Sequence, residues 1–131
     1  MMDLSHRKAV AMASAERNRM LTDPTRPLYE VKAGLFKGLA HPIRIRILEV
    51  LSAQPEASVT ELLADTALEA SHLSQHLSVL RANHLVVSER RASLVFYRLA
   101  YPQVADLLHV ARNLLGEMLE TTHRHLSEQS R

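Results

Sequence analysis

A mainly α-helical fold carrying one two-stranded β-hairpin is what this sequence predicts, with a helix-turn-helix at its centre. Three observations predict it. Apolar residues recur at helical spacing through most of the chain. Across residues 85–99 the period changes from 3.6 to 2, and β-branched and aromatic residues gather there. Residues 71–81, Ser-His-Leu-Ser-Gln-His-Leu-Ser-Val-Leu-Arg, put leucines on one side of a helix and small hydroxyls with one amide on the other.

The elements follow in order. Residues 3–21 are rich in Ala, Met, Arg and Glu and suit a helix, but its apolar stripe (Leu4, Val10, Ala13, Met20) is broken, so this arm needs a partner surface. Asp23-Pro24-Thr25-Arg26-Pro27 ends it. A helix from Leu28 to Leu39 turns Leu28, Val31, Leu35 and Leu39 inward. His41-Pro42 marks the next boundary, with Pro at the first helical position. That helix runs to about Ser52, burying Ile43, Ile47, Leu48 and Leu51 and leaving Arg44 and Arg46 outside.

Ser58-Val59-Thr60-Glu61 reads as a capping box in which the Ser side chain caps the Glu amide and Glu reaches back. It opens a short helix containing Leu62 and Leu63. Ala67-Leu68-Glu69-Ala70 is the turn, and the leucine-backed helix follows to about Asn83. Leu85-Val86-Val87-Ser88 and Leu94-Val95-Phe96-Tyr97-Arg98-Leu99 are strands joined through Glu89-Arg90-Arg91-Ala92-Ser93. Pro102 opens a last helix to about Leu126, with a wide stripe of Val104, Leu107, Leu108, Ala111, Leu114, Leu115, Met118 and Leu119. The expected division is an arm over residues 1–27, a central domain over 28–100, and a final helix with a polar tail over 101–131.

Composition bounds the function. The chain has 131 residues, the size of one domain, and 47% of them are hydrophobic, enough for a core. Trp is absent and aromatics are 4%, so the core is aliphatic. Without Cys there are no disulfides, thiolate metal sites or cysteine nucleophiles. No apolar run approaches the roughly 18 residues that span a membrane. The polar start, Met1 to Lys8, lacks the apolar segment of a secretory signal. A cytoplasmic location is expected. The net charge of +2 is mildly basic and compatible with nucleic acid. No Gly-rich phosphate loop, nucleophile elbow or His-Glu-x-x-His motif is present, so neither an enzyme nor a cofactor is expected.

A short helix, a tight turn and a second helix form the motif that lays its second helix in a DNA major groove. With a hairpin directly after it, the order is that of a winged helix-turn-helix. Small side chains permit close approach to the groove, and Gln can make paired hydrogen bonds to adenine N6 and N7. Arg81 closes the last turn, where a cation also suits the helix dipole. His72 lies on the flank of the polar face. His76 sits only about 60° from Leu73 on a helical projection, so packing and DNA contact remain open for it. Four Arg (Arg81, Arg90, Arg91 and Arg98) stand against Glu89 alone in residues 81–98.

The chain resembles the ArsR/SmtB family of winged-helix transcriptional regulators. The resemblance is carried by Phe36-Lys37-Gly38-Leu39-Ala40-His41-Pro42-Ile43-Arg44-Ile45-Arg46-Ile47-Leu48, by Leu73-Ser74-Gln75-His76-Leu77-Ser78-Val79-Leu80-Arg81, by Leu85-Val86-Val87 and by Phe96-Tyr97-Arg98-Leu99. It spans about residues 28–115. It implies a homodimer that binds double-stranded DNA, usually as a repressor of its own promoter released by a small signal. Ser71, Ser74 and Gln75 are then first choices for base or phosphate contacts. His72, His76, Ser78 and Arg81 lie beside them, and Arg90 and Arg91 belong to the wing tip. The stripe Val104, Leu107, Leu108, Ala111, Leu114, Leu115 and Met118 becomes a dimer seam, with two recognition helices about 34–36 Å apart on an imperfect palindrome.

Two departures from the family are visible. The helix Val59–Asp65 has none of the cysteines with which many relatives sense metals. The wing turn, commonly Asp-Gly, is Ala92-Ser93. The family's other metal pattern, D-x-H-x10-H-x2-E/H on the last helix, aligns His109, Glu120 and His123 with ligand positions but places Leu107 at the Asp. His109 and Glu120 are about 16 Å apart along a helix, so these ligands can meet only across an antiparallel dimer. No metal is expected. Two rival readings stay open: an interaction module that has lost DNA binding, and a metal sensor using the last helix.

Overall fold

The computed structural model describes residues 23–130; the arm expected over residues 3–21 lies outside them. Asp23 Oδ1 accepts hydrogen bonds from Thr25 N (2.9 Å) and Thr25 Oγ1 (2.6 Å), a local turn that precedes the first helix. The elements are α1 (Leu28–Leu39), α2 (Pro42–Ala53), β1 (Ala57–Ser58), α3 (Val59–Thr66), α4 (Ala70–Ala82), β2 (Val86–Arg91), β3 (Leu94–Leu99) and α5 (Gln103–Gln129).

Each helix starts and stops for local reasons. His41 caps α2, its Nδ1 accepting from Ile43 N at 3.1 Å, and Pro42 supplies the helical φ at no cost in donors. Ser58 Oγ caps α3 by accepting from Glu61 N at 3.1 Å. The expected return bond of the capping box is absent: the Glu61 carboxylate accepts from Gln54 Nε2 at 3.0 Å instead, because the chain preceding α3 folds back beside it. Ala67 ends α3 in the left-handed region (φ 55°), its N–H bonded to Leu63 O at 2.9 Å.

The core is aliphatic. Ile47 and Leu48 of α2, Leu62 of α3, and Leu73 and Leu80 of α4 are fully buried. Removing each such side chain from water contributes about 1.5–3 kcal/mol. Leu51, Leu77, Leu85, Val86 and Tyr97 close the cluster around them. Two expectations about burial fail. Leu28 is exposed, because α1 reaches the core only through its later turns (Leu35, Gly38 and Leu39). Val104 is buried within its own subunit, and Leu107 and Leu108 pack against the same core. The first turns of α5 therefore pack on the subunit's own core.

A three-stranded antiparallel sheet, ordered β1-β3-β2, covers one flank. β1 is too short to announce itself in the sequence. It pairs Ala57 with Tyr97 and Ser58 with Phe96, which anchors the hairpin to the helical body. β2 and β3 pair from Val86↔Leu99 to Arg91↔Leu94. The first strand thus begins one residue later and ends three residues further on than expected, at Arg91 and not Ser88, and Arg90 and Arg91 belong to the strand. The turn is Ala92-Ser93 alone, with Ala92 at φ 56°. A positive φ at the first central residue suits Gly.

Side chains tie the helices together at their ends. Arg46, expected to be a surface charge, makes a two-pronged pair with Asp65 of α3 (Nε–Oδ1 and Nη2–Oδ2, both 2.8 Å). Arg44 Nε donates to the Gly38 carbonyl at 2.7 Å and so satisfies the C-terminus of α1. Gly38 is needed for closeness: a Cβ there would lie 2.5 Å from Cγ of Asn83, just past the end of α4.

Replacing Ala92 with Gly should raise stability by about 1 kcal/mol, the cost an L-residue bears in the left-handed region. Urea unfolding of the two proteins measures it, and an unchanged midpoint would show the turn to be unstrained.

Candidate nucleic-acid interface

α4 is amphipathic in the way a groove-reading helix must be. Leu73, Leu77 and Leu80 hold its back in the core, and Ser71, His72, Gln75 and Arg81 stand exposed on its front. Ser74, His76 and Ser78 are half-buried at the margins. Among the described residues no side-chain partner holds Ser71 or Gln75. The turn before α4, from Thr66 to Ala70, is set by the left-handed Ala67, so α3 and α4 cross as a helix-turn-helix.

His76 has a defined structural neighbour. Its ring lies 4.3 Å, centroid to centroid, from that of His41, with the planes tilted by 46°. The pair joins the capped start of α2 to the middle of α4. Burial pushes the His76 imidazole below its ordinary value of 6.5, and the neighbouring His41, Arg44 and His72 push the same way. The contact places His76 mostly among packed residues, with its edge toward the polar face.

The hairpin projects beside α4 with an exposed end: Glu89, Arg90, Arg91, Ala92, Ser93 and Leu94. Side chains alternate along a strand, so Arg90 and Arg91 leave opposite faces. They are not equivalent. Arg90 has no ion-pair partner among the described residues. Arg91 pairs with Glu56, lies with its guanidinium 3.9 Å from the centroid of the Phe96 ring, and has Nε 3.9 Å from Glu89 Oε2. Its hydrogen bond holds the Glu56 carboxyl below the usual carboxylate range. Nothing in residues 81–98 could have announced Glu56, which comes from the loop before β1.

His109, Glu120 and His123 are exposed along α5. Among the described residues no group of three or more His, Asp or Glu is placed to hold a metal ion. No helix among them is long and apolar enough to cross a membrane. α5 also exposes Val110, Leu114, Leu115, Met118, Leu119 and Leu126, while α1 exposes Tyr29 and Phe36.

The model of the bacterial regulatory protein arsR family matches residues 41–88, the span from the cap of α2 into β2. The transcriptional regulator Rv0081 of Mycobacterium tuberculosis is 50% identical over 94 residues, covering 71% of this chain and 82% of that protein. This chain belongs to the arsR family. Its fold agrees with the crystal structure of Rv0081 at a TM-score of 0.69 and 47% identity, over 75% of this chain and 98% of that one. A biofilm growth-associated repressor of Agrobacterium fabrum is 45% identical over 74 residues, 56% of this chain and 62% of that protein. The homodimeric winged helix-turn-helix DNA-binding domain Mb0332 of Mycobacterium bovis is similar at a TM-score of 0.58 and 25% identity, over 89% of this chain and 92% of that one. As an arsR-family member the chain is a winged helix-turn-helix, DNA-binding transcriptional regulator. α4 is the second helix of the motif and β2–β3 the wing.

The His76 shift has a pH consequence. The unfolded chain takes up this proton near pH 6.5 and the folded one only at lower pH. The stability attached to a neutral His76 is therefore full above pH 6.5 and lost as pH falls through the window beneath it. Thermal midpoints should fall between pH 7.5 and 5.5, and less so in His76→Gln; parallel losses in the two proteins would assign the effect to other groups.

Proposed function

We propose that the chain is a homodimeric, sequence-specific repressor that sits on an imperfect palindrome upstream of its own gene and is released by a small signal. The observation that carries this reading is the division of α4: an immobile leucine back beneath an exposed front of Ser71 and Gln75. Ser71, Ser74 and Gln75 contact base edges or nearby phosphates. His72, Ser78 and Arg81 flank them, His76 braces the same helix against His41 at the start of α2, and Arg90 and Arg91 reach the backbone or minor groove from the wing.

The apolar face of α5 supports the homodimer. Ala111, Leu114, Leu115 and Met118 are exposed on a helix that otherwise extends beyond the core. A contiguous apolar strip of this kind marks an association surface. A second copy of the same helix matches it in length and character, and the similar Mb0332 domain is homodimeric. Two-fold symmetry then sets two α4 helices one DNA turn apart, about 34–36 Å.

Fluorescence anisotropy with the duplex upstream of the gene, against a scrambled duplex at near-physiological salt, tests the reading. Binding to the upstream duplex should be on the order of a thousandfold tighter. Equal weak binding to both would favour a module that uses this scaffold for protein contacts. Gln75→Ala should cost about 1–3 kcal/mol on the operator and little on the scrambled duplex. Equal losses would remove Gln75 from base reading. Leu115→Glu buries a charge in the proposed seam and should convert the dimer to monomer in sedimentation velocity; an intact dimer would place the seam elsewhere.

A further inference from the structure

We propose that Glu56 is a positioning residue that competes with DNA phosphate for Arg91 and thereby lowers sequence-independent affinity. The inference rests on the DNA-binding reading of the wing and adds a carboxylate brake to it. Arg91 is held on three sides: by the Glu56 carboxylate, by the face of Phe96 at 3.9 Å, and by Glu89 at 3.9 Å. Phe96 is a fixed floor, because it lies in β3 between Ser58 of β1 and Glu89 of β2. Glu56 precedes β1, and its backbone carbonyl accepts from Gln54 Nε2 at 3.0 Å, so the carboxylate starts from an anchored backbone.

The arrangement is open to exchange. The Arg91 side chain is 46% exposed and that of Glu56 38% exposed, so water and anions reach both. Exposed pairs of this kind are weak. A phosphate offers the same bidentate acceptor geometry as a carboxylate. DNA that takes Arg91 removes the hydrogen-bonded partner of Glu56 and sets that carboxylate beside the phosphate backbone, with only the charge of Arg98 nearby. The gain from Arg91 is therefore partly cancelled, whereas Arg90 delivers its charge in full. Cancellation falls on every sequence alike, since phosphate contacts carry no base information. Its net result is a weaker grip on random DNA with base reading by α4 untouched.

The test uses the full chain, a random-sequence duplex of about 30 base pairs, and titrations across a range of salt. In Glu56→Gln the volume and backbone anchor stay, and the carboxylate charge that competes for Arg91 is removed. Affinity for the random duplex should rise about threefold or more. The salt slope should steepen by about 0.9 for each subunit bound. A role in folding alone would not move that slope. In an Arg91→Ala background the same Glu56→Gln change should have less than half its effect on affinity and none on the slope. An unchanged slope in the single variant would overturn the proposal. So would a gain equally large without Arg91, which would mark a general loss of negative charge. If the unaltered protein binds neither random nor upstream duplex, the DNA-binding reading falls and the brake with it. If it binds and Glu56→Gln is silent, only the brake falls.

Discussion

Leu73, Leu77 and Leu80 hold α4 against Ile47, Leu48 and Leu62, and the rest of the molecule is arranged around that contact. A helix packed through one face has its other face fixed with it, so the positions of Ser71 and Gln75 follow from three leucines on the opposite side. The contact is also what makes a short α3 tolerable. α3 has 8 residues, below the length at which a helix is stable by itself in water. Its caps at Ser58 and Ala67 and its buried Leu62 compensate, and the Arg46–Asp65 pair ties its last turn to α2.

Around this core the helix ends do most of the polar work. The C-terminus of α1, the N-terminus of α2 and the C-terminus of α4 converge, linked through Arg44 to Gly38, His41 to His76, and Gly38 against Asn83. The small residue at 38 lets the helices approach, the arginine occupies the carbonyl left over at the end of α1, and the histidines span the remaining gap. A recognition helix joined in this way to two others moves only if the junction moves. The wing is attached on different terms: β1 clamps β3 through two residue pairs, and the Arg91–Glu56 pair ties one side of the tip to the loop before β1.

The parts of this architecture that were legible in the sequence are those whose signals are local. Leucine spacing located α4, proline and serine marked the starts of α2 and α3, and the change of period located the hairpin. The parts that were not legible depend on partners far apart in the chain. Arg46 and Asp65 are 19 residues apart, and Arg91 and Glu56 are 35 apart, so neither pair leaves a pattern in any window. β1 was hidden because two residues cannot show a period of 2. Leu28 and Val104 were misjudged for one reason: periodicity tells which face of a helix is apolar, but not where along its length the core stops. The polar front of α4 was visible from the start, whereas the unequal standing of Arg90 and Arg91 required the third strand.

The length of α5 has a consequence for how its residues are free to vary. Its 27 residues extend about 40 Å, yet Val104, Leu107 and Leu108 account for its packing on the core. Beyond them, substitutions leave the core of the described residues unchanged, and amide protection should decline toward the C-terminus of a lone subunit. The outer part of the helix, about six turns, thus constitutes a separately adjustable surface. Their identity answers to whatever lies across from them, and pairing preference can drift or sharpen there while the fold that presents α4 stays as it is.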